Sequence, residues 1–231
     1  MQKWPLRLGK FLFKFRSFTP LPLILLTFIF FKPLSPSLFW TFAGLAVAFL
    51  GEGVRIASVG FAHHGTSGRE SFLKADSLNT TGLYSLVRNP LYWGNLLIFA
   101  GLLAAFANPS ALALFVVFLF LQYHFIVLAE ESFLRERHGR AYEEYRDLVR
   151  RWLPRFSAWA PPSGSFAWKK ILFKENDSCF NLLLAALLIT AWKQRHFHGQ
   201  VRHAAWLAGA ALLLIVFYAA VKVAKKKRTA A

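Results

Sequence analysis

The sequence predicts an all-α, polytopic membrane helical bundle of about six spans, with a cytosolic amphipathic helix after the fourth. Three observations carry that prediction. Of 231 residues, 56% are hydrophobic and 17% aromatic, with 25 Phe, more than a water-soluble domain of this size carries. The apolar residues fall in runs close to the length that enters a bilayer. The formal charge of +17 sits at the flanks of those runs, where Lys and Arg orient membrane helices and meet anionic headgroups. That placement accounts for the charge without nucleic acid, and no nucleic-acid-binding module is visible.

In chain order, residues 1–18 alternate Trp4, Phe11, Phe13, Phe15 and Phe18 with Lys and Arg, a composition suited to the headgroup region. The basic start resembles a signal peptide. No small-residue cleavage site precedes Lys32, however, so 19–34 reads as a retained first span, broken by Pro20, Pro22 and Pro33. The second span is 37–59. Near its end Glu52 and Arg55 share a helical face at i,i+3 spacing and are expected to pair. Residues 61–80 are polar and turn-rich, a connection of the length that often carries function. His63 and His64 point apart as neighbours do, so they read as a solvated pair rather than metal ligands.

Spans three and four, 91–107 and 109–129, are separated only by the Asn108-Pro109 turn and form a hairpin. Glu130-Glu131 follow, then an amphipathic helix to residue 152 with Leu134, Ala141, Tyr145, Leu148 and Trp152 on one face. Glu131 is expected to pair with Arg135 at i,i+4. Pro161-Pro162-Ser163-Gly164 and the lysines after them make 155–177 a linker. The chain thus divides into a basic interfacial segment 1–18, a membrane core 19–154, that linker, and an extra hairpin with a basic tail, 178–231. Cys179, the lone cysteine, is expected to pack. The positive-inside rule puts the clusters at 3–16, 135–174 and 225–228, and with them both termini, in the cytoplasm of what is expected to be a bacterial inner membrane. Lys193, Arg195 and Arg202 then lie outside, so the last two segments can instead be read as a re-entrant or interfacial hairpin.

This topology brings the 61–80 loop, the start of span three and Glu130-Glu131 to one membrane face. The run Tyr84 to Gly94 sets Arg88, Asn89, Pro90 and Tyr92 at the mouth of an apolar helix. A cation there is costly unless it binds something. Pro90 suits a first helical turn, and Gly94 lets a ligand or another backbone come close. The plainer alternative is an interfacial helix start with a snorkelling Arg. A guanidinium, an amide, phenols and two carboxylates suit a zwitterionic ligand carrying carboxylate, ammonium and hydroxyl groups. His-box spacings and a G-x-S-x-G elbow are missing, so neither a metal centre nor a serine hydrolase is expected.

The block Arg88-Asn89-Pro90-Leu91-Tyr92-Trp93-Gly94 resembles the R-H-P-x-Y-x-G block of the isoprenylcysteine carboxyl methyltransferase and phospholipid methyltransferase superfamily. Glu130-Glu131-Ser132-Phe133-Leu134, with Gly139, Tyr142, Tyr145 and Pro154, is similar to its second block. The resemblance covers about residues 45–155. It implies a multi-span enzyme binding S-adenosylmethionine between a helical hairpin and a cytosolic C-terminal segment, and acting on a lipid, lipid-linked or small thiol acceptor. Carried over, Tyr84, Arg88, Asn89, Pro90, Tyr92 and Gly94 line the cofactor pocket with Glu130 and Glu131, and Arg88 and Glu131 carry the catalytic role. Asn89 stands where the family usually has His, which argues against a general base there. Every implied cofactor contact precedes Pro154, so the 178–223 hairpin is expected to be dispensable for cofactor binding. A sterol-type reductase using NADPH and a non-enzymatic membrane protein are the competing readings. Glu130-Glu131 disfavours the first, because a phosphate-bearing cofactor calls for a basic cluster.

Overall fold

A computed structural model describes residues 3–63 and 75–230, so His64, Lys74 and most of the 61–80 loop fall outside the described residues. The described residues form helices α1 (Lys3–Phe15), α2 (Pro20–Phe30), α3 (Leu38–Phe61), α4 (Leu83–Leu86), α5 (Pro90–Phe106), α6 (Pro109–His138) and α7 (Arg140–Leu148). A 3-10 turn (Phe156–Ala158), α8 (Trp168–Lys174), α9 (Asn176–His198) and α10 (Ala204–Ala230) follow, and no strand occurs among them. The all-α expectation holds.

Among the described residues three helices are long and apolar enough to cross a membrane: α3, α6 and the Ala204–Lys227 part of α10. The expected first span is different. Only eleven residues of it are helical, about 17 Å at 1.5 Å per residue, too short for a hydrocarbon core of roughly 30 Å. Instead α1 and α2 form one bent pair at 72°, which makes up to four candidate spans. Residues 3–15 are therefore helix: Gly9 lies against the Phe125 backbone of α6, and Phe13 joins the core. Helices α5, of 17 residues, and α9 occupy the places expected for two further spans without reaching the length and apolarity of the other three.

The α5–α6 hairpin follows its sequence closely. Ala107 takes φ 60 and donates its N–H to Leu103 and Ala104 carbonyls, closing α5. Asn108 caps α6 by accepting from the Ala111 N–H at 3.0 Å, and Pro109 fills the first turn, where no N–H is needed. The Asn108 amide also donates to the Lys32 carbonyl at 2.8 Å, tying down the chain after α2.

The closest packing in the bundle joins α3 to α5. Gly44 and Gly51 on α3 face Gly101 and Gly94 on α5, two pairs of glycines each seven residues apart. A Cβ on Gly51 would stand 2.6 Å from the Gly94 carbonyl, and one on Gly101 would run into the Gly44 carbonyl and Ala48 N–H. Only small residues allow two backbones this near, and packing rather than lipid exclusion holds such helices together. Ala48, Leu102, Ala105 and Phe106 bury themselves here, and α9 completes the cluster with Leu182 and Ile189. Helix α9 is thus part of the core, whereas α10 remains largely exposed.

The helix expected over 130–152 is interrupted. Helix α6 runs through Glu130-Glu131 to His138, Gly139 turns the chain at φ 50, and α7 starts anew. The buried face of α7 is Tyr142, Tyr145 and Val149 instead of Ala141 and Leu148, which are exposed. The break rotates the register, so the expected three- and four-residue stripe does not continue across it. The 155–177 stretch contains the 3-10 turn and α8, and Lys170 on α8 donates to the Ala62 carbonyl at 2.7 Å beyond the end of α3.

Gly101→Leu is expected to disrupt the α3–α5 contact, costing about 1–3 kcal/mol or more as overpacking against backbone does. Gly53 has nothing within 4 Å of an added Cβ, so Gly53→Ala should raise stability by roughly 0.5–1 kcal/mol. Thermal unfolding in detergent compares the two. Equal midpoints would show that the glycine contact does not hold these helices.

Candidate active site

A polar cavity of about 230 Å³ opens where α4, the start of α5, the end of α6 and α7 converge. Its formation can be followed from the chain. Pro90 starts α5, and the segment just before it is strapped to the residues after α7. The Arg88 N–H donates to the Arg150 carbonyl at 3.0 Å, the Asn89 amide to the Arg151 carbonyl at 3.2 Å, and the Trp93 indole to the Trp152 carbonyl at 2.7 Å. Tyr145 adds its hydroxyl to the Tyr84 carbonyl at 2.8 Å. These bonds fold 142–155 back over the hairpin end as one wall of the cavity.

Glu131 is the electrostatic centre of that wall. Arg151 binds it with both arms, Nε at 2.9 Å and Nη2 at 2.6 Å, and Arg88 Nη2 approaches its Oε1 at 3.0 Å. Arg88 also donates to the Arg146 carbonyl at 3.0 Å. The expected Glu131–Arg135 pair is not made: Arg135 pairs with Glu143 at 2.6 Å. Glu131 faces inward, where a bidentate guanidinium gains most from reduced solvent screening, while Arg135 is about half exposed. Glu130 accepts from the Tyr92 hydroxyl at 2.9 Å, and Tyr92 lies against Tyr123 at 4.7 Å between ring centroids.

Two buried polar groups on the cavity wall have no hydrogen-bond partner among the described residues, Arg88 Nε and the Tyr142 hydroxyl. Leaving a buried donor unmet costs about 1–3 kcal/mol. Burial, and after it the Glu131 carboxylate, pushes the Tyr142 phenol up to about 12. Burial likewise raises Tyr84 and Tyr145. All three therefore present neutral hydroxyls over the ordinary pH range.

The structure brings Tyr84, Arg88, Asn89, Pro90, Tyr92, Glu130 and Glu131 to this one cavity. Gly94 lies behind the wall, where an added Cβ would stand 2.5 Å from Arg55 Cγ. The sequence reading did not assign Tyr142 and Tyr145, although both sit in the second motif, nor Arg16, Arg55, Asn95, Arg151 and Glu175. Arg55 does not pair with Glu52. It donates to Glu175 through Nε at 3.0 Å and Nη2 at 2.7 Å, and to Asn95 at 2.6 Å. Glu52 instead accepts from Ser178 at 2.6 Å and from the Cys179 thiol at 3.0 Å, so Cys179 bonds as well as packs.

A second, more apolar chamber of about 480 Å³ lies among α2, α5, α6 and α9, and Arg16, Arg55 and Asn95 line both spaces. Glu175 and Lys174 reach the polar cavity from beyond residue 154. Both precede the 178–223 hairpin, which contributes no residue to the polar cavity. Among the described residues no group of three or more His, Cys, Asp or Glu side chains could hold a metal ion.

Comparison with known proteins bears on this geometry. Residues 39–141 match the family model described as phospholipid methyltransferase. Two curated relatives, probable protein-S-isoprenylcysteine O-methyltransferases of Oryza sativa subsp. indica and subsp. japonica, are each 32% identical over 118 residues. The match spans 50% of this chain and 62% of each relative, less than two thirds of their length. No solved structure matches.

Glu175→Gln should release Arg55 from its strongest partner. Removing one member of a buried pair costs roughly 3 kcal/mol, read as a lower unfolding midpoint in detergent. Truncation after Pro162 should do at least as much. A midpoint unchanged by Glu175→Gln would mean that Asn95 alone positions Arg55.

Proposed function

We propose, from the match of residues 39–141 to the phospholipid methyltransferase family model and the similarity to the two probable protein-S-isoprenylcysteine O-methyltransferases, that the chain is an integral membrane methyltransferase using S-adenosylmethionine. The acceptor is a lipid, a lipid-linked group or a small thiol. One observation carries the reading: unpartnered Arg88 Nε and Tyr142 hydroxyl donors share a cavity with two adjacent glutamates.

The donor set fits the cofactor. The forked guanidinium of Arg88 matches a carboxylate, the Asn89 and Tyr142 side chains supply neutral hydrogen bonds, and Glu130 with Glu131 can accept from an amino group or ribose hydroxyls. When bound, S-adenosylmethionine supplies an electrophilic methyl group on a sulfonium. The chain's own task is to align the reacting groups and keep water out, which needs little acid–base machinery. Arg151 holds Glu131 in place while the strap of 142–155 encloses the polar cavity. On the other side of Arg16, Arg55 and Asn95, the apolar chamber receives the acceptor from the bilayer. The cavity and both termini face the cytoplasm.

Calorimetry on the purified protein in detergent should show binding of S-adenosylmethionine and none of NADPH. Arg88→Lys keeps the charge but loses the fork, and Glu131→Gln loses charge-assisted bonding of about 1.5–3 kcal/mol. Both should weaken binding by roughly ten- to a hundred-fold, Tyr142→Phe by less, and Asn89→His should be tolerated. Parent-like affinity in both Arg88→Lys and Glu131→Gln would make these residues interfacial anchors and sink the assignment.

Topology is tested separately. Cysteines introduced as Arg150→Cys and Lys225→Cys should react only with reagent admitted to the cytoplasm. Labelling of position 225 from outside would remove one crossing from the C-terminal hairpin.

A further inference from the structure

Helix α9 lies wholly beyond the family-matched residues 39–141, yet it completes the apolar chamber. Charged contacts fix it at two levels. At its start, Glu175 is 3% exposed and holds Arg55, while Ser178 and Cys179 bind the buried Glu52. Near its end, Lys193 is 6% exposed and donates to Thr41 Oγ1 at 2.7 Å and the Ala105 carbonyl at 3.0 Å, with the Ser37 carbonyl at 3.5 Å. An ionised lysine is costly in a bilayer unless it is met in this way. Between these anchors, α9 turns Leu182, Ala185 and Ile189 toward Leu102 and Phe106 of α5.

Helix α2 faces α9 across the chamber. At the Lys193 level Phe28 meets Trp192 edge-on at 5.6 Å between ring centroids and closes the gap between the two helices. Leu21, at the Arg16 end of α2, and Leu188, next to Ile189 on α9, line the chamber while remaining about half exposed, so its flank opens to the surroundings. The chamber therefore has a polar end at Arg16, Arg55 and Asn95, an apolar end at Phe28 and Ile189, and an opening along its flank. Its volume of about 480 Å³ lies within the range of roughly 300–1,000 Å³ typical of ligand pockets.

We infer that α9 is the wall that selects the acceptor, with Ala185 and Ile189 as its specificity-determining positions. The occupant is a single-chain amphiphile lying between α2 and α9 with its polar end at Arg16, Arg55 and Asn95. The inference rests on the methyltransferase reading above, to which it adds the acceptor's shape. Ala185 is the smallest side chain on this wall, so enlarging it takes space from the chain in mid-course. Ile189 stands at the apolar end, so trimming it deepens the chamber. A single methylene in a fitted apolar pocket changes discrimination by about ten-fold or more.

The test uses the full-length protein in detergent and a homologous series of straight-chain fatty acids, each with a photoactivatable group at the chain end. Labelled peptides are mapped by mass spectrometry, and S-adenosylmethionine binding is measured in parallel. One member of the series should label α2 and α9 most strongly. Ala185→Phe should cut that labelling about ten-fold and move the optimum to shorter chains. Ile189→Ala should move it to longer ones. Cofactor binding should persist in both variants, since neither residue lines the polar cavity. An unchanged length profile, or labelling confined to outward faces such as α10, overturns the inference. Should Ala185→Phe fail to fold, Ile189→Ala decides alone. A shifted profile in a protein that binds no S-adenosylmethionine would sink the methyl-transfer reading and leave the selecting wall standing.

Discussion

The glycine contact between α3 and α5 is the constraint on which the site depends. Because Gly94 has no Cβ, the Arg55 side chain can pass over it and reach both Asn95 and Glu175. A bulkier residue at position 94 would push Arg55 aside. The Arg55 guanidinium stands between the polar cavity and the apolar chamber, so helix packing sets where those spaces adjoin. Packing that only small residues permit is a means of holding helices in lipid, where apolar side chains gain nothing by leaving their surroundings. Here it also fixes the position of a charge.

The hairpin turn, the fused Glu130-Glu131 helix and the strap over 142–155 then act on one another. Asn108 and Pro109 set α6 against α5, which brings Glu130 within hydrogen-bonding distance of Tyr92. Glu131, one residue on, turns toward the strap and is held by two arginines of different origin, Arg88 from the entry to α5 and Arg151 from beyond α7. A carboxylate shared in this way keeps Arg88 from folding back to water. Arg88 Nε is left without a partner in this arrangement. The resting site is thus preorganised by internal pairing, at the expense of two unmet donors.

What could be read from the sequence was mainly what is local. The Asn108-Pro109 turn, the start of α5 at Pro90 and the concentration of polar groups around Arg88 and Glu131 depend on neighbours in the chain. The pairs expected at i,i+3 and i,i+4 failed for a physical reason. An exposed helical pair such as Glu131–Arg135 gains only about 0.3–0.5 kcal/mol, and Glu131 took Arg151 as a bidentate partner instead. Arg55 turned to Glu175, and the buried Glu52 to Ser178 and Cys179. Glu175 lies 120 residues from Arg55, and no spacing rule connects them. Tyr142 was visible as part of a motif, but its orientation depends on the break at Gly139, which the apolar periodicity masked. Arg16 was taken as one more headgroup anchor, whereas the bend between α1 and α2 brings it to the cavity wall.

The double fastening of α9 also bears on how the protein is made. Arg55 emerges from the ribosome well before Glu175, and Thr41 and Ala105 before Lys193. Contacts of such long range carry a large loop-closure cost and are intrinsically slow to form. Until α9 docks, Arg55 has Asn95 but not Glu175, Glu52 lacks Ser178 and Cys179, and the apolar chamber lacks one side. The fastening that closes the chamber therefore joins segments that enter the membrane far apart in time.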